Sequence, residues 1–315
     1  MSLFLASVLF GIGLLLVVGS AERLVESTVG LSRRLGLSAF LISVVFIGFD
    51  PENLAVGAVA SGNQAAGIAL GTIVGAAMVA LALAFGVTAV VVPLRFERAP
   101  RRILFLPIGA VGLVMGLAMD GLLSRLDGAL LLGAYVGAVV LLLYWERRGI
   151  HVAPTEAVEA EVEDEVPSTV GRAVGWFVAS LAGLLLGSEL LLRGARPIIG
   201  ALGWTDTLFG MTLLALLVSV EEVARELPAA LKGRPDVSYG NVVGSALAFF
   251  CFNAGVIALV RPVPVSAITR QFYLPVCGGT VLLIAVLMAG KRVPRWGGAL
   301  LLLMYLLFVV GPFIG

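Results

Sequence analysis

Apolar residues in this chain run in blocks of about twenty, and the polar residues gather in short gaps between them. A helix of that length rises about 30 Å, the thickness of a bilayer's hydrocarbon core. The blocks fall at 2–20, 37–60, 66–94, 102–119, 128–146, 172–193, 205–231, 237–260, 271–290 and 296–314, which predicts ten transmembrane helices. The first has no basic segment before it and no small-residue cleavage pattern after it, so it is expected to be a retained helix rather than a signal peptide.

The gaps set the orientation. Those after odd-numbered helices hold fifteen Lys and Arg, among them Arg33, Arg34, Arg101, Arg102, Arg147 and Arg148. The alternate gaps hold five: Arg125, Arg193, Arg196, Arg261 and Arg270. Basic residues concentrate on the cytoplasmic side, so the N and C termini are both expected outside. The longest gap, 147–171, carries Glu156, Glu159, Glu161, Glu163, Asp164 and Glu165 between Pro154 and Pro167, and reads as a solvated acidic cytoplasmic linker.

Composition supports the membrane reading: 60% of the 315 residues are hydrophobic and 13% charged, against about 45–50% and about 25% in soluble domains. A net charge of +1 excludes a nucleic-acid partner, and the two cysteines lie inside apolar blocks with no metal-ligand spacing. The one histidine, His151, lies in the linker, and there is no H-E-x-x-H, G-x-S-x-G or P-loop, so an enzyme is not expected. Arginine outnumbers lysine nineteen to two, the habit of a GC-rich prokaryote. The expectation is a multi-pass protein of a prokaryotic plasma membrane.

An internal repeat organises the blocks. Residues 71–77 read GTIVGAA and residues 240–246 read GNVVGSA, identical at four of seven positions and 169 residues apart. Gly19-Ser20 recurs as Gly187-Ser188, and Leu35-Gly36 as Leu202-Gly203. The fold class is therefore all-α and polytopic, with ten transmembrane helices as two inverted five-helix repeats, 1–146 and 172–315, joined by 147–171. Five is odd, so the second copy inserts upside down. Inverted repeats are a plan of secondary transporters, with the site near the midplane where the copies meet.

The charges inside the blocks mark that site. A charged side chain at the bilayer centre costs about 2.5–3.5 kcal/mol on insertion scales, yet the second block holds Gly48-Phe49-Asp50-Pro51-Glu52-Asn53 and the seventh holds Ser219-Val220-Glu221-Glu222, then Arg225-Glu226. Pro51 has no amide hydrogen and with Gly48 should break its helix. The repeat sets Asn53 against Glu222 and Glu52 against Glu221. Glu221 and Arg225 have i,i+4 spacing for internal charge compensation. Glu222 and Glu226, also i,i+4, are both acidic and repel unless a cation or proton lies between them. Asp50 and Glu52 have no basic neighbour in sequence. Thr72 and Asn241 each follow a repeat-related glycine and carry an oxygen toward the same interface. Glu22, Glu26 and Glu189, beside Arg23 and Arg193, read as residues of the membrane surface.

Carboxylate, hydroxyl, amide and carbonyl oxygens are hard donors suited to Ca2+, Na+ or similar inorganic cations; the absence of His and Cys argues against Zn2+ or Cu+. With every group ionised, Asp50, Glu52, Glu221, Glu222, Glu226 and Arg225 leave a net −4, more than one divalent ion neutralises. Coupling to Na+ or H+ is the expected consequence, and no organic cofactor is called for.

At these residues the chain resembles the cation/Ca2+ exchanger superfamily, which includes the Na+/Ca2+ exchangers. Its alpha-repeats read G-T-S-x-P-E-x-x-x-S and, about a dozen residues later, G-N-x-x-G-S. The second half answers with Ser219-Val220-Glu221-Glu222, Glu226 and Gly240-Asn241-Val242-Val243-Gly244-Ser245; the first answers with Asp50-Pro51-Glu52-Asn53 and Gly71-Thr72-Ile73-Val74-Gly75-Ala76. Asn53 stands at the first repeat's glutamate position by spacing, with Pro51-Glu52 one residue early. Glu221 replaces the second repeat's proline, Glu226 replaces a serine that in the family helps bind Na+, and Gly57 stands at that serine's place in the first repeat. Arg225 has no counterpart in the pattern.

The resemblance implies a secondary active cation antiporter that exchanges Ca2+ for Na+ or H+ by alternating access. Glu222 would be the principal Ca2+ ligand and Glu52 or Asn53 its partner, with Ser219 and freed carbonyls completing the shell. Asp50, Glu221 and Glu226 would carry protons or the counter-ion, and the first and sixth helices would slide against the rest. Two other readings stay open: a divergent member carrying another cation or a proton-coupled substrate, and a cation channel with the acidic clusters as its selectivity ring.

Overall fold

The computed structural model describes residues 1–34, 50–96, 101–146, 148, 170–232 and 235–313, without the side chains of 29–34, 146, 170, 225, 229, 236 and 237. Among the described residues nine helical segments are long and apolar enough to cross a membrane, each on one of the blocks above. The tenth block, 37–60, is described only from residue 50. Arg225 contributes its backbone but its side chain lies outside the described residues.

The helices are α1 (Leu3–Arg34), α2 (Pro51–Gly62), α3 (Ala66–Val91), α4 (Arg101–Asp120), α5 (Arg125–Glu146), α6 (Val170–Leu202), α7 (206–218), α8 (Glu221–Leu231), α9 (235–260), α10 (Thr269–Ala289) and α11 (Arg295–Val310). Four two-residue strands join them: β1 (Leu94–Arg95), β2 (Leu122–Leu123), β3 (Val263–Pro264) and β4 (Arg292–Val293).

The 169-residue offset found in the sequence recurs in the backbone. A π-helical stretch at Val79–Ala84 in α3 returns as Ala248–Asn253 in α9. The closing turns Phe85–Val91 and Ala254–Val260 keep the same separation, as do the strands β1 and β3. Pairing is exchanged between the halves. β1 runs antiparallel to β4 with Leu94 opposite Val293, and β2 antiparallel to β3 with Leu123 opposite Val263. Since β3 stands for β1 and β4 for β2, the two ribbons are one contact made twice, at opposite ends of α4.

Helix centrality follows from how apolar each side is. Of the apolar window in α3 and in α9, 83% is buried, against 22% in α1, α5 and α11. Two helices thus form the axis and the others turn leucines outward, as expected where lipid is the solvent. Backbones meet at glycines, because lipid gives apolar side chains no drive to associate and close packing must do so. Gly13 of α1 abuts the backbone of Gly187 and Leu191 in α6, and Gly194 abuts Ala6 and Phe10, so α1 and α6 form a tight pair beside the bundle. Gly71 of α3 lies against the backbone of Gly210 in α7, where a Cβ would collide with main chain. Glu189 accepts from Arg193 Nε at 2.8 Å and from Asn63 Nδ2 at 3.1 Å, and Arg23 pairs with Glu26 at 3.0 Å; both ion pairs are solvent-exposed.

A branched side chain at the α3–α7 crossing has only backbone to push against. Gly71→Val is expected to lower the melting temperature of the detergent-purified protein by several degrees, an overpacking cost of about 1–3 kcal/mol or more. Gly112→Ala, where nothing lies within 4 Å of the added carbon, should leave it unchanged. Equal melting of the two variants would refute this crossing.

A candidate cation site at paired helix breaks

Two helices begin in the interior of the bundle, one from each half, and their first turns carry the acidic residues. α2 starts at Pro51, which fits a first turn because its missing N–H is one that a helix start leaves unsatisfied. Asp50 caps it: Oδ1 accepts from Asn53 N at 2.9 Å and Oδ2 accepts from Asn53 Nδ2 at 2.9 Å. In the other half α7 ends at Val218, Ser219 leaves helical geometry at φ −110 and ψ 15, and α8 starts with Glu221 and Glu222. Both acidic turns thus lie at helix N-termini, whose partial positive charge favours carboxylates.

The halves meet at Asn53. Its Nδ2 donates to Asp50 and also to Ser219 Oγ at 2.8 Å, across 166 residues of sequence. Asp50 is an acceptor when ionised, so the amide nitrogen must face it and the orientation is fixed by chemistry. Both amide protons are then committed, and Oδ1 is buried without a hydrogen-bond partner among the described residues. By the repeat offset Asn53 corresponds to Glu222 and Ser219 to Asp50, so the counterpart of the Asn53–Ser219 contact is Glu222 with Asp50. The charges that act on Asp50 are carboxylates of the other half, Glu222 first and then Glu221. Asp50, Asn53 and Ser219 are no more than 2% exposed, and Glu222 5%.

The other predicted residues take distinct places. Glu52 is buried in the first turn of α2, beside Asn53 in sequence, and Glu221 is half-buried in the first turn of α8. Asn241 of α9 donates to Glu222 Oε2 over a long 3.4 Å. Glu226 is buried one turn beyond Glu222, with Ser238 and Asn241 beside it. Thr72 is also buried, but its hydroxyl donates to Ala69 O at 2.9 Å and lies against the Cα of Gly57. A helical threonine readily spends its hydroxyl this way on a carbonyl of the preceding turn.

Sequence reasoning missed Ser238 and Asn253. Ser238, three residues before Asn241 on the same helix face, is fully buried with its hydroxyl unpartnered. Asn253 is a fully buried amide in the α9 π-helical stretch with neither side-chain atom partnered, one turn before Ile257, which packs on Gly57. The available signal for Asn253 was one amide in an otherwise apolar run, Ala248–Asn253. Among the described residues no three His, Cys, Asp or Glu side chains converge as a ready metal cage. Ligation here would mix carboxylates with amide and hydroxyl oxygens, the donors of hard cations.

The family model for the sodium/calcium exchanger protein matches residues 5–144 and 172–314. The chain belongs to that family. This member is 31% identical to CaxA of Alkalimonas amylolytica, with 96% of this chain and 97% of that one covered. It is 25% identical to the sodium/calcium exchanger MaX1 of Methanosarcina acetivorans, covering 95% and 96% of the two. Its fold matches the solved sodium-calcium exchanger NCX_Mj with a TM-score of 0.63 at 25% identity, over 98% of this chain and 99% of that one. The two family matches flank 147–171, the acidic segment.

Ser219→Ala tests the contact between the halves. Loss of this buried acceptor should cost about 1 kcal/mol of stability, read as a lower melting temperature, whereas Ser219→Thr should keep it. Unchanged melting of Ser219→Ala would refute the contact.

Proposed function

We propose that this protein is a secondary antiporter that exchanges Ca2+ for Na+ or H+ across the membrane by alternating access, with its cation site at the two helix breaks. The observation that carries this reading is the gathering of Asp50 and Glu222, acids from the two halves, around Asn53, whose Oδ1 has no hydrogen-bond partner among the described residues. Two carboxylates bring −2, the charge one divalent cation neutralises. A cation between buried like charges relieves their repulsion. Asn53 Oδ1 and Ser219 Oγ add neutral oxygens, and Glu52, Glu221 and Asn241 border the set. Ca2+ accepts such mixed oxygen shells of six to eight ligands.

We further propose that the chain is two inverted five-helix repeats, 1–146 and 172–315, joined by a cytoplasmic segment 147–171, with ten transmembrane helices and both termini outside. The exchanged strand pairs and the offset of 169 residues favour this plan, as does the fifteen-to-five division of Lys and Arg between the two sets of loops. The α1–α6 pair is held mainly by its own glycine contacts, which suits it to move as a unit and open the site to each side in turn.

Reconstituted into proteoliposomes, the protein should take up 45Ca2+ when an outward Na+ or H+ gradient is imposed and not when both are absent. Whichever gradient drives uptake names the counter-ion. Flux that needs neither would mean a channel, and no flux under either would sink the exchanger reading. Glu222→Gln should reduce uptake to background while eluting from a sizing column as wild type does; wild-type rates would remove Glu222 from the site. For topology, a cysteine at Ser2 and one at Val158 should react with impermeant maleimide from opposite sides of the membrane. The native Cys251 and Cys277 are buried and should stay silent.

A further inference from the structure

Two buried amides, one on α2 and one on α9, hold atoms that no group among the described residues satisfies. Asn53 has committed both amide protons, and its Oδ1 is left over. Asn253 is fully buried with neither Oδ1 nor Nδ2 in a hydrogen bond. Leaving a buried polar group unpaired costs about 1–3 kcal/mol, so an amide inside the apolar stretch Ala248–Asn253 calls for a partner. At the equivalent position the first half has Ala84, buried and apolar.

The packing of α2 on α9 sets these two amides at one level. Ile257 fills the space over Gly57, and Ser61 Oγ donates to Arg261 O at 3.0 Å. Each pair is 200 residues apart, so the two helices run parallel in a fixed register. One turn earlier on the same two faces that register puts Asn253 against Asn53. Gly255, almost opposite Asn253 around the helix, meets Gly128 and Leu132 of α5, so Asn253 lies on the α2 side. The first half leaves a place for it. Glu222 receives Asn241 of α9. The repeat assigns Thr72 of α3 to Asn53 in the same way, yet the Thr72 hydroxyl donates to Ala69 O. Asn53 thus gains nothing from Thr72, and α9 presents an amide instead.

We propose that Asn253 is a positioning residue of the cation site, holding Asn53 Oδ1 in place through one bridging water. A bare cation does not suit the link, because Asn253 presents a donor, Nδ2, beside its acceptor. Water meets both needs: it accepts from Nδ2 and donates to Asn53 Oδ1, as buried waters do between polar groups that protein leaves unpaired. Asn53 Oδ1 keeps a second lone pair for the ion. Partners of this kind orient a ligand without touching the metal, and their loss typically costs about 10–100-fold in metal affinity. The role rests on the antiporter reading, in which Asn53 belongs to the cation site.

The test is equilibrium binding of 45Ca2+ to the purified protein in detergent, with melting temperature read on the same samples. Asn253→Leu keeps the volume and removes the amide, and should weaken Ca2+ binding about tenfold. Asn253→Ser, which retains a donor and an acceptor, should recover most of that affinity, and Asn253→Ala should not. In an Asn53→Ala background, Asn253→Leu should cause no further loss, because its effect passes through Asn53. Ca2+ affinity unchanged in Asn253→Leu and Asn253→Ala, whatever their melting temperatures, would overturn the role and leave the amide a matter of packing. Additive losses in the double variant would also overturn it. Wild-type protein that binds no Ca2+ would remove the Ca2+ site itself and this role with it; wild-type binding beside unaffected Asn253 variants would remove this role alone.

Discussion

A carboxylate held inside a membrane-spanning bundle needs a compensating charge, and the architecture of this protein is arranged around that need. Buried charge is supported here by helix starts. The first turns of α2 and α8 lie in the bundle, where backbone N–H groups carry partial positive charge. The break after Val218 also frees backbone oxygens that an unbroken helix would have consumed. Charge and dipole are therefore brought together by one device, a helix start, used twice.

Performing it twice does not make the halves alike. Asp50 and Glu222 are acids at non-equivalent positions, the cap in one half and the first turn in the other, while Asn53 and Ser219 are the neutral residues left over. The helical turn of one half meets the cap of the other at Asn53 and Ser219, both neutral, and the counterpart positions Glu222 and Asp50 are both acids. The result is a site with an acidic edge and a hydrogen-bonded edge. Had both halves carried the acid in the same place, each cross-contact would pair a carboxylate with a neutral oxygen. The neutral pair ties the two helix starts together through a 2.8 Å hydrogen bond.

Much of this was legible from the residues alone, for physical reasons. Span positions follow from hydropathy because lipid tolerates little else, and the offset of 169 is carried by GTIVGAA and GNVVGSA, the first of which packs its helix closely on α7 through Gly71 and Gly75. The placement of Asn53 opposite Glu222 in the repeat came directly from that offset. What stayed hidden depends on who touches whom. Thr72 and Asn241 are equivalent in sequence, yet one hydroxyl closes on its own helix and the other side chain reaches across. Ser238 stands at the edge of an apolar block, where sequence gives no sign of burial, and the packing of α8 on α9 buries it. The strand pairs that tie β1 to β4 and β2 to β3 are two residues long, too short to leave a periodic signal.

The net −4 counted from sequence treats all the intramembrane carboxylates as one pool, and geometry divides it. Asp50 lies in the first half under the influence of Glu222; Glu226 stands a turn beyond Glu222 with Ser238 and Asn241 beside it; Glu221 is half-buried. Glu222 acts on both Asp50 and Glu226, so a change of charge at one is felt at the other. A shared carboxylate is thus enough to couple the two groups, without any moving part. The helix motion of an exchanger then has to decide only which side of the membrane each position faces.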